Sequence, residues 1–255
     1  MYYRTLKRAL AALITTLFVS GAITTSGQNI FDDFNVDEGH FTSDPNFSGS
    51  SLNDAASSAA DRFTTDGPIE GAGHQRLALD WEDNADTGVN LQIRHLSGGG
   101  TPANNTTFTT SAGTDGWIGF YLKVDPIAGW TTPWTAQLWI EGAENNGGVP
   151  KTILNDGAWH LYEWNLDDES GGPDGWGAVA GIAAGDADVQ VGTYTIDSII
   201  LRGDTTPNTT IYLDFVAKSA SGSIAAMVPE PSTYAMFAIG LAGFAGYRRL
   251  KLAKR

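Results

Sequence analysis

Short runs in which apolar and polar residues alternate recur along the chain, separated by stretches rich in Gly, Asn, Thr and Pro. Alternation with a period of two marks strands with one buried face. Such runs are read at 30–34, 75–81, 89–96, 117–124, 134–141, 159–166, 194–201 and 210–216. Two stretches between them, 97–110 and 167–177, are loops by composition; the second contains Gly171-Gly172-Pro173-Asp174-Gly175. Many short strands with no fixed repeat and no long helical periodicity predict an all-β domain, a two-sheet β-sandwich of the jelly-roll kind.

Parity assigns faces within each run. In 117–124, Ile118, Phe120, Leu122 and Val124 share one face, and Trp117, Gly119, Tyr121 and Lys123 the other. In 134–141, Ala136, Leu138 and Ile140 look inward, with Gln137, Trp139 and Glu141 opposite. In 89–96, Leu91 and Ile93 oppose Asn90, Gln92 and Arg94. If these three runs are neighbours in one sheet, its outer face collects Trp117, Tyr121, Trp139, Gln92, Arg94, Gln137 and Glu141. Rings flanked by amides and opposite charges suit the apolar C–H face and hydroxyl rim of a sugar. The competing reading places the tryptophans in the core, where large aromatics usually lie. Trp130 and Trp134 around a Thr-Thr-Pro turn, and Trp176 in a glycine-rich loop, are either loop platforms or plugs for the ends of the sandwich. Trp159 and Trp164 lie on opposite faces of their run, so parity allows only one of them in the core.

Both ends of the chain break this pattern. Arg4, Lys7 and Arg8 precede the apolar stretch 9–19 and the small residues Ser20-Gly21-Ala22. That is the layout of a signal peptide, cut by signal peptidase after Ala22 or after Gly27. At the other end, Val228-Pro229-Glu230-Pro231-Ser232-Thr233 leads into fourteen uncharged residues, 234–247, and then into five Lys/Arg among the final eight residues. The prolines keep the hexamer extended. The apolar run, as a helix, is about 21 Å long, short of a hydrocarbon core of about 30 Å. The domain boundaries read from this are 1–22 signal peptide, 28–222 sandwich, 223–233 linker with the Pro-Glu-Pro motif, 234–247 transmembrane helix and 248–255 basic cytoplasmic tail.

Hexamer, short apolar helix and basic tail, in that order, resemble the PEP-CTERM sorting signal. The resemblance implies Pro229, Glu230 and Pro231 as the motif and an exosortase-type protease as processing partner. It further implies a chain held briefly at the inner membrane and then released to the cell envelope or extracellular matrix. Charge fits that destination. Between residues 28 and 233, twenty-nine Asp and Glu face seven Lys and Arg, a net charge near −22. Such a surface repels nucleic acid and anionic lipid and leaves neutral glycans, cations or basic proteins as partners. There is no cysteine, so no disulfide assists, and a core within about 200 residues must supply the stability.

The segments Asp156-Gly157-Ala158-Trp159-His160-Leu161-Tyr162-Glu163-Trp164-Asn165-Leu166, Tyr194-Thr195-Ile196-Asp197-Ser198-Ile199-Ile200-Leu201 and Ile211-Tyr212-Leu213-Asp214-Phe215 occur in that order. They resemble the second half of galactose-binding-like jelly rolls, the fold of many carbohydrate-binding modules. That resemblance implies extracellular polysaccharide as ligand and a structural calcium held by Asp214 together with Asp32 or Asp33. Asp214 could equally cap a turn or bond to backbone.

Catalytic signatures are absent from the sequence. It has no Glu-x-Asp-x-x-Glu strand, no Gly-x-Ser-x-Gly elbow and no His-Glu-x-x-His. The four histidines are scattered. The expected function is therefore non-catalytic polysaccharide binding by an exported protein. The alternative is a structural matrix protein without a defined ligand, and the third reading is a polysaccharide hydrolase or lyase.

Overall fold

The computed structural model describes residues 28–43, 45, 50, 59–65, 67–79, 91–97, 107–111, 115–126, 133–142, 146–168, 172–176, 191–203 and 209–228. The signal peptide, Pro229, Glu230, Pro231, the apolar run and basic tail, Asn90, Trp81 and Trp130 lie outside them.

Twelve strands form the described part: β1 (Gln28–Asp32), β2 (Ala59–Phe63), β3 (His74–Leu79), β4 (Leu91–Leu96), β5 (Thr107–Thr109), β6 (Trp117–Val124), β7 (Thr135–Gly142), β8 (Asn146–Gly147), β9 (Lys151–Thr152), β10 (Trp159–Asn165), β11 (Thr193–Gly203) and β12 (Thr209–Ser219). Each of the eight predicted runs overlaps a strand. The short β2, β5, β8 and β9, which carry little alternation, are additional.

All pairings are antiparallel. The first sheet has the order β10-β6-β12-β3-β2, with β1 beside the far end of β12. The second runs β4-β11-β7-β8, with β5 pairing β11 and β9 pairing β7. From β5 onward the chain passes repeatedly from one sheet to the other, which makes the architecture a two-sheet sandwich.

The core forms because the inward parity set is apolar in both sheets. Ile118, Phe120, Leu122, Tyr162, Trp164, Ile211 and Leu213 from the first sheet meet Ile93, Ala136, Leu138, Ile140, Ile199 and Leu201 from the second, all buried. Burying side chains of this size contributes roughly 1.5–3 kcal/mol each before entropy is counted. Trp134, Trp176, Phe34 and Phe41 are buried in the same cluster. Of the alternatives for Trp134 and Trp176, the structure supports the plugs and not the loop platforms. Trp164 is buried in the core, whereas Trp159 lies half-buried on the outer face, as parity requires.

One polar pair crosses the core. His95 of β4 donates from Nε2 to Oε1 of Gln75 in β3 at 2.6 Å, and both side chains are fully buried. Burial holds the imidazole well below its usual value, at about 4.

β12 carries a bulge between Asp214 and Ala217. Phe215 sits there with φ of +48°, a costly backbone for a residue with a Cβ. Asp214 Oδ1 accepts the Phe215 N–H at 2.8 Å, and the ring is buried against Tyr121, Ala217 and Ile224. Those contacts hold the bulge. The segment after β12, read from sequence as the start of a linker, instead forms a 3-10 turn at Ile224–Met227, with the Ser223 side chain accepting from the Ala225 N–H.

Candidate functional site

The residues grouped by strand parity divide between two outer faces. β6 lies between β10 and β12 in the first sheet, whereas β4 and β7 flank β11 in the second. The expectation that these three strands are neighbours is thereby corrected. Trp117 and Tyr121 stand on the outer face of the first sheet; Gln92, Arg94, Gln137, Trp139 and Glu141 share that of the second. Parity fixes a residue's face within its own strand. Neighbours, however, come from pairings such as Leu96 with Ser198, about a hundred residues apart, which no local pattern encodes.

On the second sheet, register sets Gln92, Arg94 and Leu96 against Arg202, Ile200 and Ser198 on one side of β11. Thr135, Gln137 and Trp139 oppose the same three residues on the other side. Arg202 donates from Nε to Gln92 Oε1 at 2.9 Å and from Nη1 to Gln137 Oε1 at 2.7 Å. Arg94 forks onto Asp197, with Nη2 2.6 and 2.8 Å from the two carboxylate oxygens, and Asp197 also accepts the Ser198 hydroxyl at 2.7 Å. Trp139 is half-buried, and Glu141 is exposed at the far end of β7. The β8 backbone runs so close that a Cβ at Gly147 would collide with the Trp139 ring and the Gln137 amide. Both side chains are thus held in place from one side by main chain alone.

Gln137 is fully buried and its Nε2 has no hydrogen-bond partner. A buried donor without an acceptor costs about 1–3 kcal/mol. Arg202 takes the amide oxygen, and the nitrogen lies close to the β8 main chain at Gly147.

The outer face of the first sheet is packed shut over much of its area. Tyr121, Phe215, Ala217 and Ile224 form an apolar cluster against which Ile69, Trp159, Leu161, Met227 and Val228 pack. Tyr121 is 9% exposed, and burial, aided by the Glu163 charge, pushes its phenol up. Lys123 Nζ lies 4.2 Å from the Tyr212 ring centroid and 5.4 Å from that of Trp159. Tyr121 is therefore a packing residue.

The three calcium candidates are engaged with N–H donors. Asp214 is fully buried, and its Oδ2 accepts from the Ile69 N–H at 2.8 Å and the Glu70 N–H at 3.4 Å. Burial nonetheless raises its carboxyl to about 7. Asp32 accepts from the His40 backbone at 2.7 Å and lies 3.1 Å from His40 Nδ1; burial lifts it to about 6. Asp33 accepts the Asn35 N–H at 3.0 Å. Among the described residues no three His, Asp or Glu side chains gather as a metal site. Calcium needs six to eight oxygens. Here the carboxylates face N–H donors, which fits loop ordering and does not fit a cation cage.

Sequence reasoning missed Arg202. The signal was obscured by a bulge: the register of β11 shifts between Ile196 and Ser198, so the parity read from Tyr194 and Ile196 reverses before Ile199 and Leu201. The apolar triplet Ile199-Ile200-Leu201 hides the reversal.

The fold is thus an all-β sandwich with one outer face packed shut and one carrying a guanidinium–amide network. Residues 228–249 match the PEP-CTERM protein-sorting motif, which marks an exported, exosortase-processed protein of the cell envelope. No curated protein matches the chain in sequence. Among solved structures, an exo-β-agarase superposes with a TM-score of 0.40 at 13% identity, over 68% of this chain and 24% of that one. The chain therefore spans about a quarter of the agarase's length. A family 11 carbohydrate-binding module from Clostridium thermocellum, in complex with a β-1,3-1,4-mixed-linked tetrasaccharide, superposes at 0.39 with 10% identity, over 78% of this chain and 99% of that module. A family 11 module of the cellulosomal cellulase Lic26A-Cel5E of the same organism does so at 0.32 with 9% identity, over 69% and 94%.

Proposed function

We propose that this chain is a polysaccharide-binding protein of the cell envelope or extracellular matrix, acting without catalysis through the outer face of its second sheet. The observation that carries the reading is the placement of Trp139. Its half-buried ring shares a face with two guanidinium groups and two amides carried by three neighbouring strands. An indole supplies a flat apolar surface for a sugar ring, and fixed amide and guanidinium donors can bond hydroxyls around it. Strands hold such groups more exactly than loops do. Export and clipping by exosortase would place this face where extracellular polysaccharide is found.

Affinity electrophoresis of the full chain, in nonionic detergent through gels containing soluble polysaccharides, tests the reading. Retardation by at least one polymer is expected, together with its loss in Trp139→Ala at nearly unchanged melting temperature. Free migration through every gel would overturn it. That result would favour the matrix protein without a ligand, a reading supported by the burial of Ile200 and Gln137 in the middle of the face, 5% and 0% exposed.

A further inference from the structure

Seven cations lie between residues 28 and 233, and most have found an anion or a ring. Arg94 pairs with Asp197, Arg76 with Asp61 and Lys151 with Asp174. Lys218 lies in the field of Asp115 and Asp167. Lys123 lies over the rings of Tyr212 and Trp159. Arg62 donates to the carbonyls of Phe34 and Asn35 within a loop junction. Arg202 differs in both partner and place. Its bonds go to the neutral amide oxygens of Gln92 and Gln137, and among the described residues no carboxylate pairs with it.

A guanidinium carries five N–H donors in a rigid fork; the two bonds to Gln92 and Gln137 engage Nε and Nη1 only. Among the described residues Nη2 has no bond. The side chain is half-buried, and loss of water pulls its pKa down, so the positive charge is partly desolvated with no counter-charge among the described residues. In a domain where carboxylates outnumber cations four to one, an unpaired guanidinium fixed by two amides is unexpected as a purely structural element. A fork held in this way suits a planar or tetrahedral oxyanion that accepts two N–H bonds. The Gln137 amide, fully buried, serves to anchor the guanidinium from below.

Distance links this socket to the indole. Trp139 pairs with Ser198, four residues along β11 from Arg202, or about 13 Å at the rise of a strand. An oligosaccharide of a few units bridges that gap. We propose that the second-sheet face takes an acidic polysaccharide, Arg202 receiving a carboxylate or sulfate oxygen of the polymer while Trp139 stacks on a sugar ring further along. This assignment rests on the reading of that face as the glycan site. The domain's overall negative charge opposes polyanions at long range. Recognition is therefore short-range and works best in salt: at 0.15 M the screening length is about 8 Å.

The test is affinity electrophoresis of the full chain in nonionic detergent at about 0.15 M salt, through gels containing alginate, dextran sulfate or mixed-linkage β-glucan. Alginate or dextran sulfate is expected to retard the chain at least tenfold more, by apparent dissociation constant, than the neutral glucan. Retardation by alginate alone assigns the socket to a uronate carboxylate, and by dextran sulfate alone to a sulfate ester. Arg202→Gln should remove the preference, Arg202→Lys should keep part of it, and both should melt within a few degrees of the parent. Equal retardation by the neutral glucan, unchanged in Arg202→Gln, would overturn the acidic class and leave the sugar-binding reading intact. Retardation by an acidic polymer that Arg202→Gln does not alter would also overturn the socket. Free migration in all three gels would overturn the acidic class as well, and extending the panel to further neutral polymers then decides the broader reading.

Discussion

The two outer faces of this sandwich start from the same geometry and end in opposite states. On the first sheet the chain folds back on itself: Ile69, Met227 and Val228 pack onto Tyr121, Phe215 and Ile224. On the second, directed bonds tie Arg202 to Gln92 and Gln137, and Arg94 to Asp197. Apolar contact is indifferent to direction and is satisfied by whatever chain lies to hand. Donor networks are directional, and one that is incompletely satisfied from within requires an outside partner. The difference teaches that exposed aromatics alone do not mark a binding face. Trp159 and Trp139 are both half-buried, but Trp159 packs into the apolar cluster of its sheet, whereas Trp139 shares its face with the Arg202 and Arg94 guanidinium groups.

Breaking each face separately sharpens the comparison. The largest expected effect is on the first face. Phe215→Ala empties a buried ring site and should cost about 3–5 kcal/mol, with the strain at φ +48° retained because alanine also carries a Cβ. Urea unfolding should show it, with polysaccharide retardation unchanged wherever the variant is folded. Next is the junction beneath that face. Asp214 holds a proton in the folded chain up to about pH 7, whereas an unfolded aspartate releases it near 4. The folded state therefore binds more protons between these values, and this group's contribution is full below pH 4 and lost as pH rises through 7. Asp214→Asn should flatten that loss, on the order of 3 kcal/mol, seen as urea midpoints at pH 5 and pH 8 lying closer together than in the parent. His95 acts in the reverse sense. Held near 4 by burial, it contributes stability above its unfolded value near 6.5 that is lost as pH falls toward 4. His95→Gln should therefore be less sensitive to acid over that interval, measured the same way.

On the second face the effect on stability is small and the effect on binding large. Trp139→Ala should shift the unfolding free energy by about 1 kcal/mol while abolishing retardation. The smallest expected effect is that of calcium. Because Asp214, Asp32 and Asp33 already accept backbone N–H bonds, millimolar calcium and a chelator should give melting temperatures within about a degree. A rise of several degrees with calcium would show that the ion displaces those bonds.

Much of the fold was legible because the core obeys parity strand by strand: Ile118, Phe120, Leu122 and Val124 read inward from sequence and are buried. The opposed fates of Trp159 and Trp164 were legible for the same reason. The candidate site was legible only in part. Gln92, Arg94, Gln137, Trp139 and Glu141 do share one face, but Trp117 and Tyr121 do not, because β6 pairs with β10 and β12 through contacts distant in sequence. Arg202 escaped because a bulge at Asp197 reverses the alternation that would have exposed it. Ser223–Val228 read as linker because its composition is small and weakly apolar. The outward-facing Tyr121 and Phe215 rings, against which it packs, and the Glu163 carboxylate, which accepts the Ile224 N–H at 2.9 Å, give it a seat.

That seat has a mechanical consequence for maturation. Val228, the residue just ahead of Pro229, rests on the sandwich itself, and the uncharged stretch resumes at Tyr234. The intervening leash can stretch no farther than about 20 Å. Anything that held Tyr234 would therefore hold the sandwich within that same distance.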